Sequence, residues 1–316
     1  MLGLGLIGGS LARRLARSHD VVGHDSDAAT RQAAEEAGLG VAGSVAEAVA
    51  GRDLVVIATP LPAVGSVLAE VAAAGTPAIL TDVASVKAPV LDAVRAAFAG
   101  GPRYVGGHPM AGTEWSGFGA SDPRLLDGAP WVLCLEDDTD LDAWLAVAGL
   151  VTGLGCRVVP CSAAGNDAAV ARVSGLPHLL AAALALAGAD GGPLALALAA
   201  GSFRDGTRVA GTRPELVAAL CDANRSALAS AFDATVARLA AAAEDLRSGG
   251  TVADLAAAGH GARQGWVAFP IGGERSRVRT SDPSLRGALT RLGAAGGHVT
   301  AVSGGVLDCW APVHRG

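Results

Sequence analysis

The sequence predicts an α/β chain in three parts: a doubly wound parallel sheet with helices on both faces, an all-helical domain, and a short α+β tail. Three observations carry this. Through the first 160 residues short apolar runs alternate with amphipathic stretches, the mark of successive βαβ units. The opening MLGLGLIGGS contains G-x-G-x-x-G at Gly3, Gly5 and Gly8, with an acidic residue, Asp25, where the next strand ends. From about residue 162 strand signals give way to long Ala/Leu-rich segments that read as helices packing on one another.

Residues 1–160 are thus expected to form a Rossmann-like dinucleotide-binding domain. Its strands are predicted at 21–23, 54–58, 78–81, 104–105, 131–135 and 157–159, with helices at 10–16, 28–37, 62–74 and 88–98. Each crossover should be right-handed. The glycine turn should follow a strand of about five apolar residues, yet only Met1 and Leu2 precede it. The expectation is a truncated first strand: the natural chain begins upstream, and the sequence as given leaves a gap at the centre of the sheet with neighbouring backbone groups unpaired. In the second domain, 161–260, helices are predicted at 166–187, 194–201, 214–246 and 252–258, with Pro214 opening one and Thr212 as its cap. The remainder, 261–316, is rich in Gly and Arg. A strand is predicted at 267–271, a helix at 283–292, and a hairpin from 299–302 to 306–310 across Ser303-Gly304-Gly305.

Composition narrows the function class. At 316 residues the chain can bury the cores of two domains. It is 51% hydrophobic, Ala and Gly dominate the composition, aromatics are only 3%, and it reads as a soluble globular protein. A net charge of −6 gives no support to nucleic-acid binding. No apolar run reaches the roughly 20 residues of a membrane helix; the nearest, 179–198, is interrupted by Gly188-Ala189-Asp190-Gly191-Gly192-Pro193. No basic segment leads into an apolar core at the start, so neither membrane nor secretory pathway is expected. Cys134, Cys156, Cys161, Cys221 and Cys309 show no C-x-x-C spacing. They are read as reduced, mostly buried thiols of a cytosolic protein, and no metal site is expected.

The glycine turn is the first candidate site. Gly3, Gly5 and Gly8 would bring backbone close to a pyrophosphate, Leu6 and Ile7 of the same turn are candidate cofactor contacts, and N–H groups at the N-terminus of the following helix would hold the pyrophosphate. Asp25 would accept the adenine-ribose hydroxyls and repel a 2′-phosphate. No Arg immediately follows it, so NAD is favoured over NADP. Thr59 and Pro60, just after a strand, are further cofactor-contact candidates.

Three polar stretches interrupt the apolar pattern elsewhere. Thr81-Asp82-Val83-Ala84-Ser85-Val86-Lys87 follows a strand, at the end where open sheets bind ligands. It holds Lys87, the sole lysine of the chain, in a sequence whose other basic side chains are arginines. Gly106-Gly107-His108-Pro109-Met110-Ala111-Gly112-Thr113-Glu114 carries an imidazole after another strand. A dehydrogenase needs a base for a hydroxyl proton, and histidine suits that role; a satisfied structural histidine is the plain alternative. In Ala200-Gly201-Ser202-Phe203-Arg204-Asp205-Gly206-Thr207-Arg208 two arginines can clamp a carboxylate, or instead pair with Asp205 and Glu215 as a surface network. His178 begins an apolar helix, where burial would be its ordinary fate.

GLGLIGGS, DVASVK, GHPMAGTEWSG, VSGLPHLLA and SFRDGTRVAGTRPE, in this order and at these distances, resemble the prephenate/arogenate dehydrogenase family of tyrosine biosynthesis over residues 1–250. The resemblance implies a Rossmann domain followed by a helical dimerisation domain, an active site between them, and a cytoplasmic homodimer that uses NAD or NADP. It implies His108 as the catalytic acceptor for the ring hydroxyl and Ser85 as the serine that orients it. Arg208 would bind a substrate carboxylate, with His178, Glu114, Thr113 and Lys87 as further substrate-site residues. One departure stands out: where the family often has histidine in S-x-L-P-H, this chain has Gly175. Prephenate is the expected substrate and arogenate the alternative. A β-hydroxyacid or 6-phosphogluconate-type dehydrogenase would rely on a lysine in the helical domain, which has none, and a nucleotide-sensing module would not need Ser85, His108 and Arg208 together. Members of the family often carry a regulatory ACT domain at the C-terminal end; 261–316 is too short for a whole one, and a degenerate ACT-like unit is the corresponding expectation.

Overall fold

The computed structural model describes residues 1–98, 100–113, 115–269 and 272–313. The chain divides into two compact units, 1–167 with 275–311, and 168–274 with 312–316.

The first unit opens with α1 (Leu6–Leu15), β1 (Val22–Gly23), α2 (Ala28–Glu36), β2 (Gly40–Val41), α3 (Val45–Val49), β3 (Leu54–Ile57), α4 (Val64–Ala74), β4 (Ile79–Asp82), α5 (Ala88–Ala97) and β5 (Tyr104–Val105). Strands β3, β4 and β5 are parallel neighbours, as are β1 and β2. Leu2 joins the two groups through parallel bridges to His24 and Ile57. Its N–H donates to the Val56 carbonyl at 2.8 Å and its carbonyl accepts from Ala58 at 2.6 Å. On the other side Gly3 donates to His24, and His24 to Met1, both at 2.8 Å. The order β2-β1-Leu2-β3-β4-β5 is the 3-2-1-4-5-6 arrangement of a doubly wound fold. The gap expected at the centre is therefore filled by Met1–Gly3, and the neighbouring groups at that level are paired. Side chains of α3, α4 and α5 close one face of this sheet, around Leu2, Val55, Ile57, Leu68, Leu80 and Val90.

A second sheet follows, from β6 (Gly107–Pro109), β7 (Pro130–Cys134) and, after α6 (Leu141–Gly153), β8 (Arg157–Cys161). Asp140 caps α6 by accepting from Asp142 and Ala143. The α6 face that carries Trp144, Val147 and Val151 is fully buried.

The chain passes from the first unit to the second within α7 (Ala163–Val170), and the second unit is helical: α8 (Leu176–Asp190), α9 (Gly192–Ala197), α10 (Gly201–Thr207), α11 (Pro214–Ala223), α12 (Arg225–Arg247) and α13 (Ala253–Ala268). Between α7 and α8 the helix widens into a π-turn over Ala171–Gly175. Pro177, which has no N–H and crowds the preceding turn, accounts for it. Ala171, Leu228 and Ala231 form the small core against this turn. The continuous helix Ala163–Asp190 spans 28 residues and holds an 18-residue stretch of mean hydropathy 1.5. By length and composition alone it is long and apolar enough to cross a membrane, against the expectation of no such run: the helix begins at Ala163, sixteen residues before the apolar run at 179–198. Leu186, Leu194, Leu198 and Leu246 remain exposed on this unit.

The tail then returns to the first unit with β9 (Gly273–Arg279), α14 (Leu285–Ala294), β10 (His298–Ser303) and β11 (Val306–Pro312). Strand β10 pairs antiparallel with β8 and β11, and the second sheet runs β6-β7-β8-β10-β11-β9. Leu285, Leu289, Val299 and Leu307 enter the same core as Trp144. A Cβ on Gly293 would meet the Pro160 carbonyl oxygen at 1.6 Å, so α14 lies on β8 as closely as only glycine permits. Residues 261–316 thus do not stand apart as their own unit. The strand predicted at 267–271 is also corrected: Val267 and Ala268 end α13, while Pro270 and Ile271 lie outside the described residues.

Candidate active site

The glycine turn has the contacts such a site requires. Gly3 has φ +94°, and a Cβ there would meet the Ala58 carbonyl carbon and oxygen at 2.6 Å. A Cβ on Gly8 would meet the Gly3 oxygen at 2.1 Å, so both glycines are imposed by close packing. Gly5, by contrast, faces open space with nothing within 4 Å. Leu6 and Ile7 begin α1, whose first N–H groups have no intrahelical acceptor. The Thr59 hydroxyl is buried without a hydrogen-bond partner beside this turn, with Pro60 exposed after it. Asp25 accepts from Leu4 N–H at 2.8 Å through Oδ2 and from Asp27 N–H at 3.0 Å through Oδ1. Its carboxylate is therefore held at the end of β1 with lone pairs to spare. An open cradle, an orphaned hydroxyl and a fixed carboxylate fit a dinucleotide. The sequence reading missed Arg31, whose Nη1 donates to the Asp25 carbonyl at 2.6 Å and the Ser26 carbonyl at 3.1 Å. No Arg adjoins Asp25 in sequence, but the second turn of α2 brings this one back.

The polar stretch after β4 folds into a buried network. Asp82 is fully buried and accepts from the Lys87 ammonium, from Ala84 N–H at 2.8 Å and from the Tyr104 hydroxyl at 2.6 Å. Burial and the adjacent Asp82 carboxylate push the Tyr104 phenol well above its usual value. Lys87 also donates to the Gly107 carbonyl at 2.5 Å. With 1% of its surface exposed, Lys87 cannot reach a substrate, so its expected substrate-site role is corrected: it is a strut between β4 and β6.

Next to Gly107, on β6, stands His108, itself buried. Its Nδ1 lies 3.0 Å from Asn166 Oδ1, and Asn166 Nδ2 donates to the Ser85 carbonyl at 3.0 Å and to Asp167 Oδ1 at 2.9 Å. Asp167 in turn accepts from Lys87 N–H at 2.7 Å and Ala88 N–H at 2.9 Å, where a carboxylate complements the N-terminus of α5. Burial lowers the His108 pKa to about 4, against the opposing Asn166 hydrogen bond, so the imidazole is neutral at pH 7. Nε2 has no partner among the described residues. Ser85 is exposed. Thr113 is exposed, and its hydroxyl accepts from Trp115 N–H at 3.2 Å; Glu114 lies outside the described residues.

The other expected substrate residues belong to the second unit. His178 Nδ1 lies 3.2 Å from the Val209 carbonyl, tying α8 to the turn Arg208–Gly211. Arg204 pairs with Asp205 at 3.4 Å, one half of the surface network considered from sequence, but Glu215 pairs with Arg213 at 3.5 Å. Arg208 is exposed and outside that network among the described residues. A Cβ on Gly175 would meet Leu228 Cδ1 at 3.1 Å, so a histidine at this position would require Leu228 to move.

Comparison with known proteins agrees with this geometry. The family described as "Prephenate dehydrogenase, nucleotide-binding domain" matches residues 8–160, and "Prephenate dehydrogenase, dimerization domain" matches 162–256. A prephenate dehydrogenase of Bacillus subtilis is 32% identical over 245 residues, 74% of this chain and 66% of that protein. A solved chain from Corynebacterium glutamicum, assigned by inference as a prephenate dehydrogenase, superposes with a TM-score of 0.87 at 39% identity, covering 93% and 96% of the two chains. Synechocystis arogenate dehydrogenase gives 0.74 at 30% identity, covering 84% and 98%. A prephenate dehydrogenase from A. aeolicus in complex with hydroxyphenyl propionate and NAD+ gives 0.71 at 25% identity, covering 78% and 89%.

Proposed function

The chain belongs to the prephenate dehydrogenase family, and on that basis we propose that it converts prephenate to 4-hydroxyphenylpyruvate, CO2 and NADH with NAD+ as oxidant. The single observation that carries this reading is His108: a buried, neutral imidazole whose Nδ1 is engaged by Asn166, which also ties down the Ser85 carbonyl, while Nε2 has no hydrogen-bond partner among the described residues. We further propose a cytoplasmic homodimer built through the helical unit, supported by the dimerization-domain match and the exposed leucines of α8 and α9.

NAD+, when bound, supplies the acceptor for a hydride. The α1 N-terminus and Gly5 would receive its pyrophosphate, and Asp25 would take the ribose hydroxyls. His108 Nε2 draws the proton from the ring hydroxyl as the C4–H electron pair departs as hydride and the C4–O bond becomes a carbonyl. Loss of CO2 then returns the electrons of the ring–carboxylate bond to an aromatic ring, and His108 gives the proton back to the ring oxygen. Ser85 orients that hydroxyl, and Arg208 holds a carboxylate of the substrate. Much of the rate then comes from holding these groups in register.

Steady-state assays with prephenate and with arogenate test the reading. NADH production from prephenate is the expected result, and oxidation of neither compound would overturn it. Arogenate, which carries an amino group in place of the side-chain ketone, is the second reading, favoured by the Synechocystis likeness. Arg208→Ala should raise KM and lower kcat/KM by roughly tenfold to a hundredfold, the scale of a lost charge-assisted hydrogen bond. An unchanged KM for prephenate would remove Arg208 from the substrate site.

A further inference from the structure

We propose that Asn166 sets the tautomer of His108: its amide oxygen takes the Nδ1 proton, which leaves Nε2 as the lone-pair nitrogen that meets the substrate hydroxyl. Asn166 is thus a positioning residue, and it acts only through His108.

The orientation of the Asn166 amide follows from its neighbours. Its NH2 group faces two acceptors, the Ser85 carbonyl at 3.0 Å and Asp167 Oδ1 at 2.9 Å. A flipped amide would aim its oxygen at both of these and its NH2 at the imidazole, losing two hydrogen bonds. Asp167 is itself fixed by two backbone N–H groups at the start of α5. The oxygen that faces His108 Nδ1 at 3.0 Å is therefore an acceptor with no alternative, and the nitrogen opposite it must carry the proton. A neutral imidazole holds one ring proton, so Nε2 has none. The charged groups that bear on the imidazole are Lys87, at the N-terminus of α5, Asp82 on β4 and Asp167 on α7. Lys87 disfavours the imidazolium and the two carboxylates favour it, and burial outweighs them, so the ring stays neutral. The same amide ties down the Ser85 backbone, so one side chain orients both the base and the segment that carries its serine neighbour.

The inference rests on the reading of His108 as the base, and its test separates the two. Imidazole nitrogen shifts of the 15N-labelled full chain at pH 7 report the tautomer without substrate, with the His108 signals assigned by their loss in His108→Asn. The wild type is expected to show protonated Nδ1 and unprotonated Nε2, and Asn166→Leu to lose that preference. A wild-type His108 protonated on Nε2, or an unchanged tautomer in Asn166→Leu, would overturn the proposal. Prephenate turnover, measured separately, decides the substrate reading alone. Asn166→Leu should also lower kcat by about tenfold or more through loss of the oriented base. In a second variant, Asn166→Asp, a carboxylate beside Nδ1 stabilises the imidazolium. Because only the neutral ring accepts a proton, the acid limb of kcat/KM, expected near pH 4 in the wild type, should move up by about one unit or more. Activity would then recover as pH rises. A loss of equal size at every pH would mean that Asn166 only maintains the fold, and would refute the assignment.

Discussion

His108→Ala or His108→Asn is expected to lower kcat by at least about a hundredfold, the usual scale for loss of a general base, with little change in the Kd for NAD+. The two effects separate because the cofactor turn, Gly3 to Gly8 with Asp25, holds its shape through contacts that do not involve β6. A structural histidine would satisfy both ring nitrogens, whereas here Nδ1 is engaged and Nε2 is not. Truncation to alanine also leaves the Asn166 oxygen without its donor, a cost to stability that asparagine can partly relieve. Comparable kcat in the asparagine variant would remove His108 from the mechanism. A matched loss of NAD+ affinity and kcat would instead point to a collapsed site.

Local chemistry made much of this architecture legible. The alternation of apolar runs and amphipathic helices, and the spacing from Gly3 to Asp25, foretold the parallel sheet and its cofactor end, because βαβ units write themselves as short-range periodicity. What escaped was long-range. The hairpin of β10 and β11 is readable from Ser303-Gly304-Gly305, but nothing local says that β10 pairs with β8, some 140 residues earlier in the chain. Strand β9, GERSRVR, is almost wholly exposed and polar, so it has no apolar alternation to announce it. The run Val267-Ala268-Phe269 is short and apolar, which suits a helix end as well as a strand, and the helix prevails.

The candidate site divides in the same way. His108, Ser85 and the glycines sit in motifs whose chemistry is local, and the sequence marked them. Asn166 and Asp167 acquire meaning only because folding brings them to His108 and to the start of α5, which they follow by 58 and 80 residues. Lys87 was conspicuous as the only lysine, but composition cannot tell a buried strut from a ligand contact. A second signal was Tyr104, the only tyrosine in the chain, whose hydroxyl meets the same carboxylate.

Lys87→Met is expected to destabilise the protein by about 3–5 kcal/mol, because it leaves Asp82 charged, fully buried and without its counter-ion. For a unit of this size each kcal/mol moves Tm by roughly 2–4 °C, so the melting point should fall by about ten degrees. Adding Asp82→Asn removes the stranded charge, and the double variant should regain part of that loss, even though the Tyr104 hydroxyl and the Gly107 N–H then meet a weaker acceptor. The contrast with a substrate-binding lysine is sharp. A ligand contact would raise KM in the single variant and leave Tm unchanged, and the added Asp82→Asn would bring no recovery. A buried strut predicts the reverse: Tm falls, the cycle shows strong coupling, and kcat suffers through the Gly107 carbonyl that Lys87 holds next to His108. Thermal unfolding of the two single variants and the double variant decides between them, and a Lys87→Met protein that melts within two degrees of the wild type would show that the pair contributes little.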